Sequence, residues 1–307
     1  MVRYLLVYSL VFTMSLLPLK VLYLLSDFLC FLAYRVIRYR RRIVRDNIAK
    51  SFPQKSEQEI IKIEKDFYAF FCDYLVETIK LCTISDKQLK RRMKFIGVEE
   101  MVNEMKRENK LFSFIYLAHY GNWEWISSLS ARIHEVDNNI VGGHIYHPLR
   151  NKTINKLFLK LRSRFEGTNI PMKGTLRFIL RQRQLHKPTI IGFIADQSPK
   201  WNCIHHWTNF MNRITPVFTG TEKIAKQVDA QIYFADVRRV KRGYYECTLT
   251  RMTDNISSFA DYEITDKYFK MLEQMISNQT FLWLWSHNRW KRTYEEYVER
   301  NNSDNRK

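Results

Sequence analysis

Two short, unbroken apolar runs limit the possible folds more than any other feature of this sequence. Residues 111–118 read LFSFIYLA and residues 189–195 read TIIGFIA. Apolar runs of this length without alternation are typical of strands buried on both faces of a parallel sheet. His119 directly follows the first run and Asp196 directly follows the second. The sequence therefore predicts two buried strands that each end in a polar side chain.

Helical patterns separate these runs from further apolar segments. The region 46–110 is predicted to be helical, with a capping box at Ser56 and Glu59 ahead of an amphipathic stretch. The spacing of apolar residues predicts further helices at 123–133, 153–165, 174–185, 220–228 and 262–278, and strands at 230–237 and 244–251. Alternating strands and helices indicate an α/β fold with a largely parallel or mixed sheet flanked by helices. Ligands of such sheets bind beyond the carboxyl ends of the strands, where His119 and Asp196 are expected.

The N-terminal segment has the composition of a membrane anchor. Residues 4–34 are dominated by Leu, Val, Phe and Tyr, and residues 4–19 carry no charge. Lys20 and Asp27 interrupt the stretch, so it fits either one tilted spanning helix or two shorter segments that are re-entrant or lie in the interface. A buried helical hairpin of a soluble protein is the alternative. We expect an N-terminal hydrophobic membrane-anchoring helix, because no small-residue cleavage site of a signal peptide follows it.

The charge balance favours anionic partners. The chain has 50 Lys and Arg against 31 Asp and Glu, a formal net charge of +19. A basic flank of six arginines follows the apolar segment and would face an anionic cytoplasmic leaflet: Arg35, Arg38, Arg40, Arg41, Arg42 and Arg45. We therefore divide the chain into an anchor with its basic flank at 1–45 and a single domain at 46–307. No nucleic-acid-binding motif is recognisable, so nucleic acid is not an expected partner.

Two other residue patterns bear on chemistry. His119 and Glu124 form an H-x-x-x-x-E pair at a predicted strand–helix turn, where the carboxylate could fold back, fix the imidazole tautomer and help it activate a hydroxyl. A polar, hydrogen-bonded strand end is the alternative interpretation.

Cys203, His205 and His206 lie close together, but no second ligand pair at zinc spacing accompanies them. No metal site is predicted. The five widely spaced cysteines, with no C-x-x-C pair, favour a reducing compartment over a disulfide framework.

Six blocks in order resemble the lipid A biosynthesis (late) acyltransferase family, within the lysophospholipid acyltransferase group. They are the apolar anchor with its basic flank, AHYGNWEW at 118–125, the 146–148 segment leading to RSRFEGTNIP, GFIADQSP at 192–199, NFMNRITPVFTGTEKIA at 209–225 and FLWLWSHNRWK at 281–291. The family's usual Y-R-P is Tyr146, His147 and Pro148 here, which leaves a basic role at that block open.

This resemblance implies a glycerolipid acyltransferase-like fold and an enzyme that needs no cofactor. The implied reaction transfers an acyl group to a hydroxyl of a lipid A precursor at the cytoplasmic face of the bacterial inner membrane. The donor would be an acyl thioester of acyl carrier protein or of CoA. No covalent acyl-enzyme is implied, and the sequence has no G-x-S-x-G nucleophile motif. His119 would be the general base and Glu124 its orienting partner. A lysophospholipid or an N-acyl amino-acid lipid as acceptor, and a membrane-tethered binding protein without catalysis, are the alternatives.

The resemblance also implies residues that bind substrate. The family's functional arginine falls on Arg162 or Arg164 and its functional aspartate on Asp196. Either guanidinium could bind phosphates of the lipid acceptor or of the donor's phosphopantetheine arm, although solvated charges on a helix surface are the alternative. Asp196 would otherwise cap the turn that follows its strand.

Two later blocks contribute further candidates for substrate binding. Thr215 and Gly220 belong to a loop that enters a helix, where backbone N–H groups could meet an anion, although a structural turn is the simpler interpretation. His287 and Arg289 are flanked by tryptophans. They could line the acceptor site or anchor the surface at headgroup depth.

Overall fold

The computed structural model describes residues 2–304. Its N-terminal part consists of two helices, α1 (Val2–Leu16) and α2 (Leu19–Phe31), joined at Pro18 and followed by a π-helical turn, Leu32–Val36. Within this range no single helix is long and apolar enough to cross a membrane. The pair Arg3–Leu16 and Leu19–Val36, which is bent by 116°, together has the length and composition that a membrane span requires. The chain thus forms two short helices here, which is the second of the two arrangements that the sequence allowed, and the expected membrane anchor stays a prediction.

The remainder of the chain alternates between helices and strands. The helices are α3 (Arg41–Ser51), α4 (Glu57–Lys80), α5 (Asp86–Arg92), α6 (Val98–Arg107), α7 (Leu129–Val136), α8 (Lys152–Arg162), α9 (Thr175–Gln184), α10 (Gly220–Val228), α11 (Glu263–Asn278) and α12 (Tyr294–Asp304). The strands are β1 (Met93–Ile96), β2 (Phe112–Leu117), β3 (Val141–Tyr146), β4 (Thr168–Pro171), β5 (Thr189–Ile194), β6 (His206–Phe210), β7 (Arg213–Val217), β8 (Gln231–Lys241) and β9 (Tyr244–Thr253).

Seven strands form one mixed sheet in the order β1-β9-β8-β2-β5-β3-β4, and β6 and β7 form a separate antiparallel pair. Within the large sheet only β8 and β9 run antiparallel to each other. Every residue of β2 is buried, as the unbroken apolar run predicted. The predicted α/β class with a largely parallel sheet is confirmed.

The register of the two central strands determines where the functional candidates lie. β2 and β5 pair in parallel with Leu117 opposite Ile194. Two residues further along each chain, His119 and Asp196 leave the same edge of the sheet side by side. The carboxyl-end location expected for both residues follows from this register.

Several elements differ from the sequence prediction. The region 46–110 is mostly helical, and the capping box at Ser56 and Glu59 is present, but the region also contains β1. That strand has only four residues, at the sheet edge between two helices, and so carries almost no period-2 signal. Strands β3 and β4 and the β6–β7 pair were also not predicted. The predicted helix 123–133 begins as a 3₁₀ turn, Trp125–Ser128, before α7.

The N-terminal helices pack on the rest of the protein with one side only. Leu19 and Leu22 of α2 are buried against Val76 of α4, while Lys156 and Lys160 of α8 lie over tyrosine rings of α1. The opposite side, here called the outer apolar face, exposes Leu5, Leu6, Leu10, Phe12, Leu16, Leu17, Val21, Leu24, Phe28 and Phe31. The pair therefore covers the core and presents a large apolar surface of its own.

The basic flank is not a uniform solvent-facing cluster. Arg41 and Arg45 both bind the buried carboxylate of Glu64, and Arg40 donates to the backbone oxygen of Ser286 at 3.0 Å. Arg41 and Arg45 are thus engaged inside the protein, and contact of the flank with a membrane leaflet stays a prediction. Arg35, Arg38, Arg40 and Arg42 are exposed. The predicted domain boundary at residue 45 falls inside α3.

Candidate active site

The imidazole of His119 is held by Asp196. The Nδ1 atom lies 2.7 Å from Asp196 Oδ1, and the backbone N–H of His119 donates to Oδ2 at 3.1 Å. Because an ionised carboxylate only accepts hydrogen bonds, this contact places the ring proton on Nδ1. The tautomer that results has its lone pair on Nε2, which is the form that a general base requires.

Asp196 is buried and fully engaged. Trp283 Nε1 donates to its Oδ2 at 2.8 Å, and the aspartate is 2% exposed. Burial alone would raise the pKa of Asp196, but the charge and hydrogen bonds of His119 and the Trp283 donor hold it below its usual value. The group therefore stays a carboxylate near neutral pH.

The other face of the His119 ring is accessible. The side chain is 21% exposed, and Gln197 Nε2 lies 3.2 Å from His119 Nε2. Trp123 packs edge-on against the ring, with 5.4 Å between centroids, and itself stacks on Tyr74 at 4.0 Å. A substrate hydroxyl that displaces the Gln197 amide would therefore meet an oriented imidazole beside the Trp123 ring.

Glu124 does not occupy the position expected for it. Its two oxygens accept from Arg162 Nη2 at 2.6 Å and Nε at 2.8 Å, and the carboxylate is almost fully buried. The predicted contact of Glu124 with the His119 ring is thus corrected: Asp196 makes that contact. The reason is topological, because β5 brings Asp196 alongside His119, whereas the turn directs Glu124 to the last residue of α8.

The turn between His119 and Glu124 is tightly fixed. Gly121 has φ +58°, and a Cβ there would lie 2.9 Å from Val237 Cγ1, so only glycine fits without strain. The Gly121 N–H donates to Leu282 O at 3.0 Å, and Leu284 N–H donates to His119 O at 3.0 Å. The segment around Trp283 is therefore hydrogen-bonded to both sides of the turn.

A cationic cluster whose charges act on one another and on Asp196 lies beside this site: Arg40, Arg213, Arg289, Lys291 and Arg292. Burial lowers the pKa of Lys291, and the positive charges of Arg292, Arg289 and Arg40 lower it further. Arg289 is 0% exposed and donates Nη2 to Pro216 O at 2.7 Å, while its Nε and Nη1 have no partner among residues 2–304. Burial lowers the pKa of Arg289 to about 10, so it remains charged near neutral pH.

His287 lies between this cluster and the His119–Asp196 pair. Burial lowers its pKa to about 4, with Asp196 raising it and Arg289 and Lys291 lowering it. The ring is therefore neutral near pH 7, and its buried Nε2 has no partner in the part of the chain that the structure describes. The unpaired N–H groups of Arg289, next to a reactive imidazole, are what an anionic substrate would satisfy.

The match to a protein family identifies the chemistry. The family described as bacterial lipid A biosynthesis acyltransferase matches residues 1–292. The chain belongs to this family. It is therefore an acyltransferase. No curated protein sequence gives a significant match to the chain.

Other candidate residues of this acyltransferase are held by internal contacts. Arg164 donates Nη1 to Leu81 O and Nη2 to Ile84 O, the latter at 3.0 Å. The Thr215 hydroxyl donates to Arg213 O at 2.8 Å and accepts from Trp290 Nε1 at 2.8 Å. Gly220 begins α10 with open space around its Cα. Substrate binding by these residues stays a prediction, and for Arg164 it would require both carbonyl contacts to break.

The C-x-H-H cluster of the acyltransferase is dispersed. His206 pairs with Asp266 at 2.8 Å and stacks on Tyr262, while Cys203 and His205 are exposed. Among residues 2–304 no three His, Cys, Asp or Glu side chains are grouped as a metal site requires.

Several site residues were not predicted. Trp283 and Gln197 contact the His119–Asp196 pair. His144 lies near the Glu124–Arg162 pair: burial lowers the pKa of His144, the charge of Arg162 lowers it further and the charge of Glu124 raises it. Trp283 and Gln197 lie in sequence blocks that were singled out, but only the sheet register and the path of residues 281–291 bring them to Asp196. His144 belongs to the unpredicted β3 and had no sequence signal.

Proposed function

We propose that this acyltransferase transfers a fatty acyl group from a thioester to a hydroxyl of an anionic lipid A precursor. The observation that carries the proposal is the hydrogen-bonded His119–Asp196 pair, whose partly exposed imidazole presents Nε2 at the carboxyl edge of the sheet, beside the Gln197 amide. A thioester is already an activated donor, so the protein has to supply a base, orientation and charge stabilisation. Each of these can be assigned to residues around His119.

In the proposed reaction, His119 Nε2 takes the proton of the acceptor hydroxyl while its oxygen attacks the thioester carbonyl. The tetrahedral intermediate then expels the thiolate and leaves an ester on the lipid. The imidazolium returns its proton to the departing sulfur. Asp196 stabilises the imidazolium throughout and keeps the proton on Nδ1. Atoms balance without a covalent acyl-enzyme: a thioester and an alcohol become an ester and a thiol.

The cationic cluster supports an acceptor that bears phosphate. Arg289 offers two buried N–H groups without partners among residues 2–304, and Arg292 donates to Ser198, two residues beyond Asp196, at 3.2 Å. A phosphate would satisfy such donors and offset the concentration of positive charge. Arg162 is already bidentate to Glu124, so its proposed part is to hold α8 against the turn, with Nη1 left for substrate.

We further propose that the enzyme works at the cytoplasmic face of the bacterial inner membrane, with acyl carrier protein or acyl-CoA as donor. The outer apolar face supports this location, because an exposed apolar surface of this extent is typical of a membrane or protein contact. Arg35, Arg38 and Arg42 follow it and would meet anionic headgroups.

Serine substitutions on the outer apolar face should release the protein from lipid vesicles. Burial of one Leu or Phe side chain contributes about 1.5–3 kcal/mol. Replacing Leu6, Leu10, Leu24 and Phe28 together should therefore weaken partitioning by at least about 100-fold, without loss of core contacts. The measurement is co-sedimentation with anionic vesicles. The matched control replaces four exposed leucines elsewhere: Leu149, Leu176, Leu180 and Leu185. Equal losses in both variants, or none in the first, would contradict this anchor.

The lipid composition of cells with and without the gene tests the proposed acceptor. We expect a lipid A species lacking one acyl chain to accumulate when the gene is deleted, and restoration of the gene carrying wild-type His119, but not His119→Ala, to reverse the change. Mass spectrometry of the extracted lipids measures both. An unchanged lipid A profile with an altered lysophospholipid or N-acyl amino-acid lipid would assign the acceptor to that alternative class.

A further inference from the structure

A buried carboxylate on α4 lies behind the active-site turn and has no part in the proposed reaction. Glu77 is 0% exposed, and its two oxygens accept three side-chain hydrogen bonds. Asn122 Nδ2 donates to Oε2 at 2.7 Å and Tyr245 OH donates to the same oxygen at 3.0 Å. Tyr23 OH donates to Oε1 at 2.8 Å. Three separate parts of the fold thus meet on one carboxylate.

Asn122 connects Glu77 to the catalytic turn. It lies between His119 and Glu124 and is itself 0% exposed. While its Nδ2 donates to Glu77, its Oδ1 accepts from the backbone N–H of Trp125 at 3.0 Å. Trp125 makes a second contact with the same residue of α4, because its Nε1 donates to Glu77 O at 3.0 Å. Both ends of the segment 122–125 are therefore tied to Glu77.

Tyr23 connects the same carboxylate to the N-terminal helix pair. It belongs to α2, and a second buried carboxylate one turn earlier on α4 repeats the arrangement: Ser26 donates to Asp73 Oδ1 at 2.7 Å. Asp73 also binds Arg242, which in turn binds Asp27 of α2 at 2.5 Å. The docking of α2 on α4 is therefore polar and specific as well as apolar.

We propose that Glu77 is a positioning residue that ties the His119–Glu124 turn to α2, so that the geometry of the active site depends on the docking of the N-terminal helix pair. The inference rests on the proposed role of His119 in catalysis. Glu77 is behind the turn and touches no reacting atom; it acts through Asn122 and Trp125. Movement of α2 would break the hydrogen bond between Tyr23 and Glu77 and would loosen the hydrogen bond between Glu77 and Asn122 that fixes the turn.

The environment of Glu77 agrees with a role beyond stability. Burial raises the pKa of Glu77 to about 7, although the hydrogen bonds from Asn122, Tyr23 and Tyr245 lower it. A carboxylate with a raised pKa disfavours folding at higher pH, since its ionised form is less well solvated in the folded protein. An apolar side chain would avoid this cost, whereas the carboxylate provides acceptors for three donors that would otherwise be buried without partners.

Three variants at this contact test the proposal. Glu77→Leu should lower kcat by about 10- to 100-fold, the effect of a slight misplacement of reacting groups, with KM for donor and acceptor within about 3-fold. Glu77→Gln should retain most of kcat, because the amide oxygen can accept from Asn122 and Tyr245 while its NH₂ faces Tyr23. The double variant Glu77→Leu with Asn122→Ala should have a kcat no lower than that of the less active single variant, because both substitutions remove the same hydrogen bond between Asn122 and Glu77.

The link to α2 has its own variant and control. Tyr23→Phe should lower kcat by about 5-fold, the effect of one buried hydrogen bond. Tyr39→Phe is the control: Tyr39 stacks on Phe71, and none of the described residues hydrogen-bonds its hydroxyl, so kcat should not change.

Hydrogen exchange separates this inference from the proposed mechanism. Backbone amides at 118–126 should exchange at least about 10-fold faster in Glu77→Leu and Tyr23→Phe than in the wild type or in Tyr39→Phe. This readout does not require any role for His119. Fast exchange with unchanged kcat would show that turnover does not depend on the order of the turn and would overturn the positioning role, whereas full activity of His119→Ala would contradict the proposed function. Unchanged exchange in folded Glu77→Leu, additive losses in the double variant, or failure of Glu77→Gln to retain kcat would overturn the positioning role.

Discussion

Replacing His119 with alanine should lower kcat by at least about 100-fold, the usual contribution of a general base. The ring is partly exposed and its removal leaves β2 intact, so the variant should fold. The loss should appear in kcat, because the imidazole acts on the proton of the attacking hydroxyl. Thiol release from the acyl donor, measured in the presence of the lipid acceptor, gives the rate.

The matched control for this variant is His205→Ala. His205 is exposed and belongs to the C-x-H-H cluster, so its removal should leave the rate within about 2-fold of the wild type, as is usual for a surface substitution. If folded His119→Ala kept near-wild-type turnover, His119 could not be the base. If His205→Ala lost activity as well, the cluster would have a function that the structure does not explain.

Asp196→Asn should lower kcat by at least about 100-fold while the protein keeps its fold. The asparagine oxygen can still accept from the His119 N–H and from Trp283 Nε1, the two donors that bind Oδ2. Its NH₂ group then faces His119 Nδ1 and can only donate. The ring proton would move to Nε2, the atom that has to accept the proton of the hydroxyl.

A second carboxylate–imidazole pair provides the control for this substitution. Asp266 lies 2.8 Å from His206 Nε2, so Asp266→Asn changes the same kind of contact away from the site and should leave the rate within about 2-fold. Nitrogen-15 shifts of the His119 ring should show the tautomer change in Asp196→Asn. Full activity with an inverted tautomer would contradict the assignment of Nε2 as the base.

The two central strands and the reactive edge of the sheet could be predicted from sequence because β2 and β5 carry unbroken apolar runs. The partner of His119 could not, because the local spacing favoured Glu124 and only the β2–β5 register places Asp196 beside the ring. Glu124 lies only five positions after His119, yet the turn directs its carboxylate to Arg162 of α8. Local patterns identify the residue types of the site, and strand pairing decides which of them are in contact.

Other parts of the site had little local signal. Glu77 lies in the last turn of an amphipathic helix, where a single acid is ordinarily a solvated surface residue. Its burial follows from α2 covering that side of α4 with Tyr23 and Ser26. The cationic cluster combines residues from three distant segments, so no single window of the sequence could reveal it.

The most direct test of the account is one acyl transfer reaction with purified protein in mixed micelles. Acyl carrier protein carrying a fatty acyl thioester is the donor, and a phosphorylated lipid A precursor, its dephosphorylated analogue and a lysophospholipid are the acceptors. The account predicts that the phosphorylated precursor gains the mass of one acyl chain per thiol released, faster than the other two acceptors, and that His119→Ala forms no such product. Thiol release without acylated precursor, or equal acylation of all three acceptors, would contradict it.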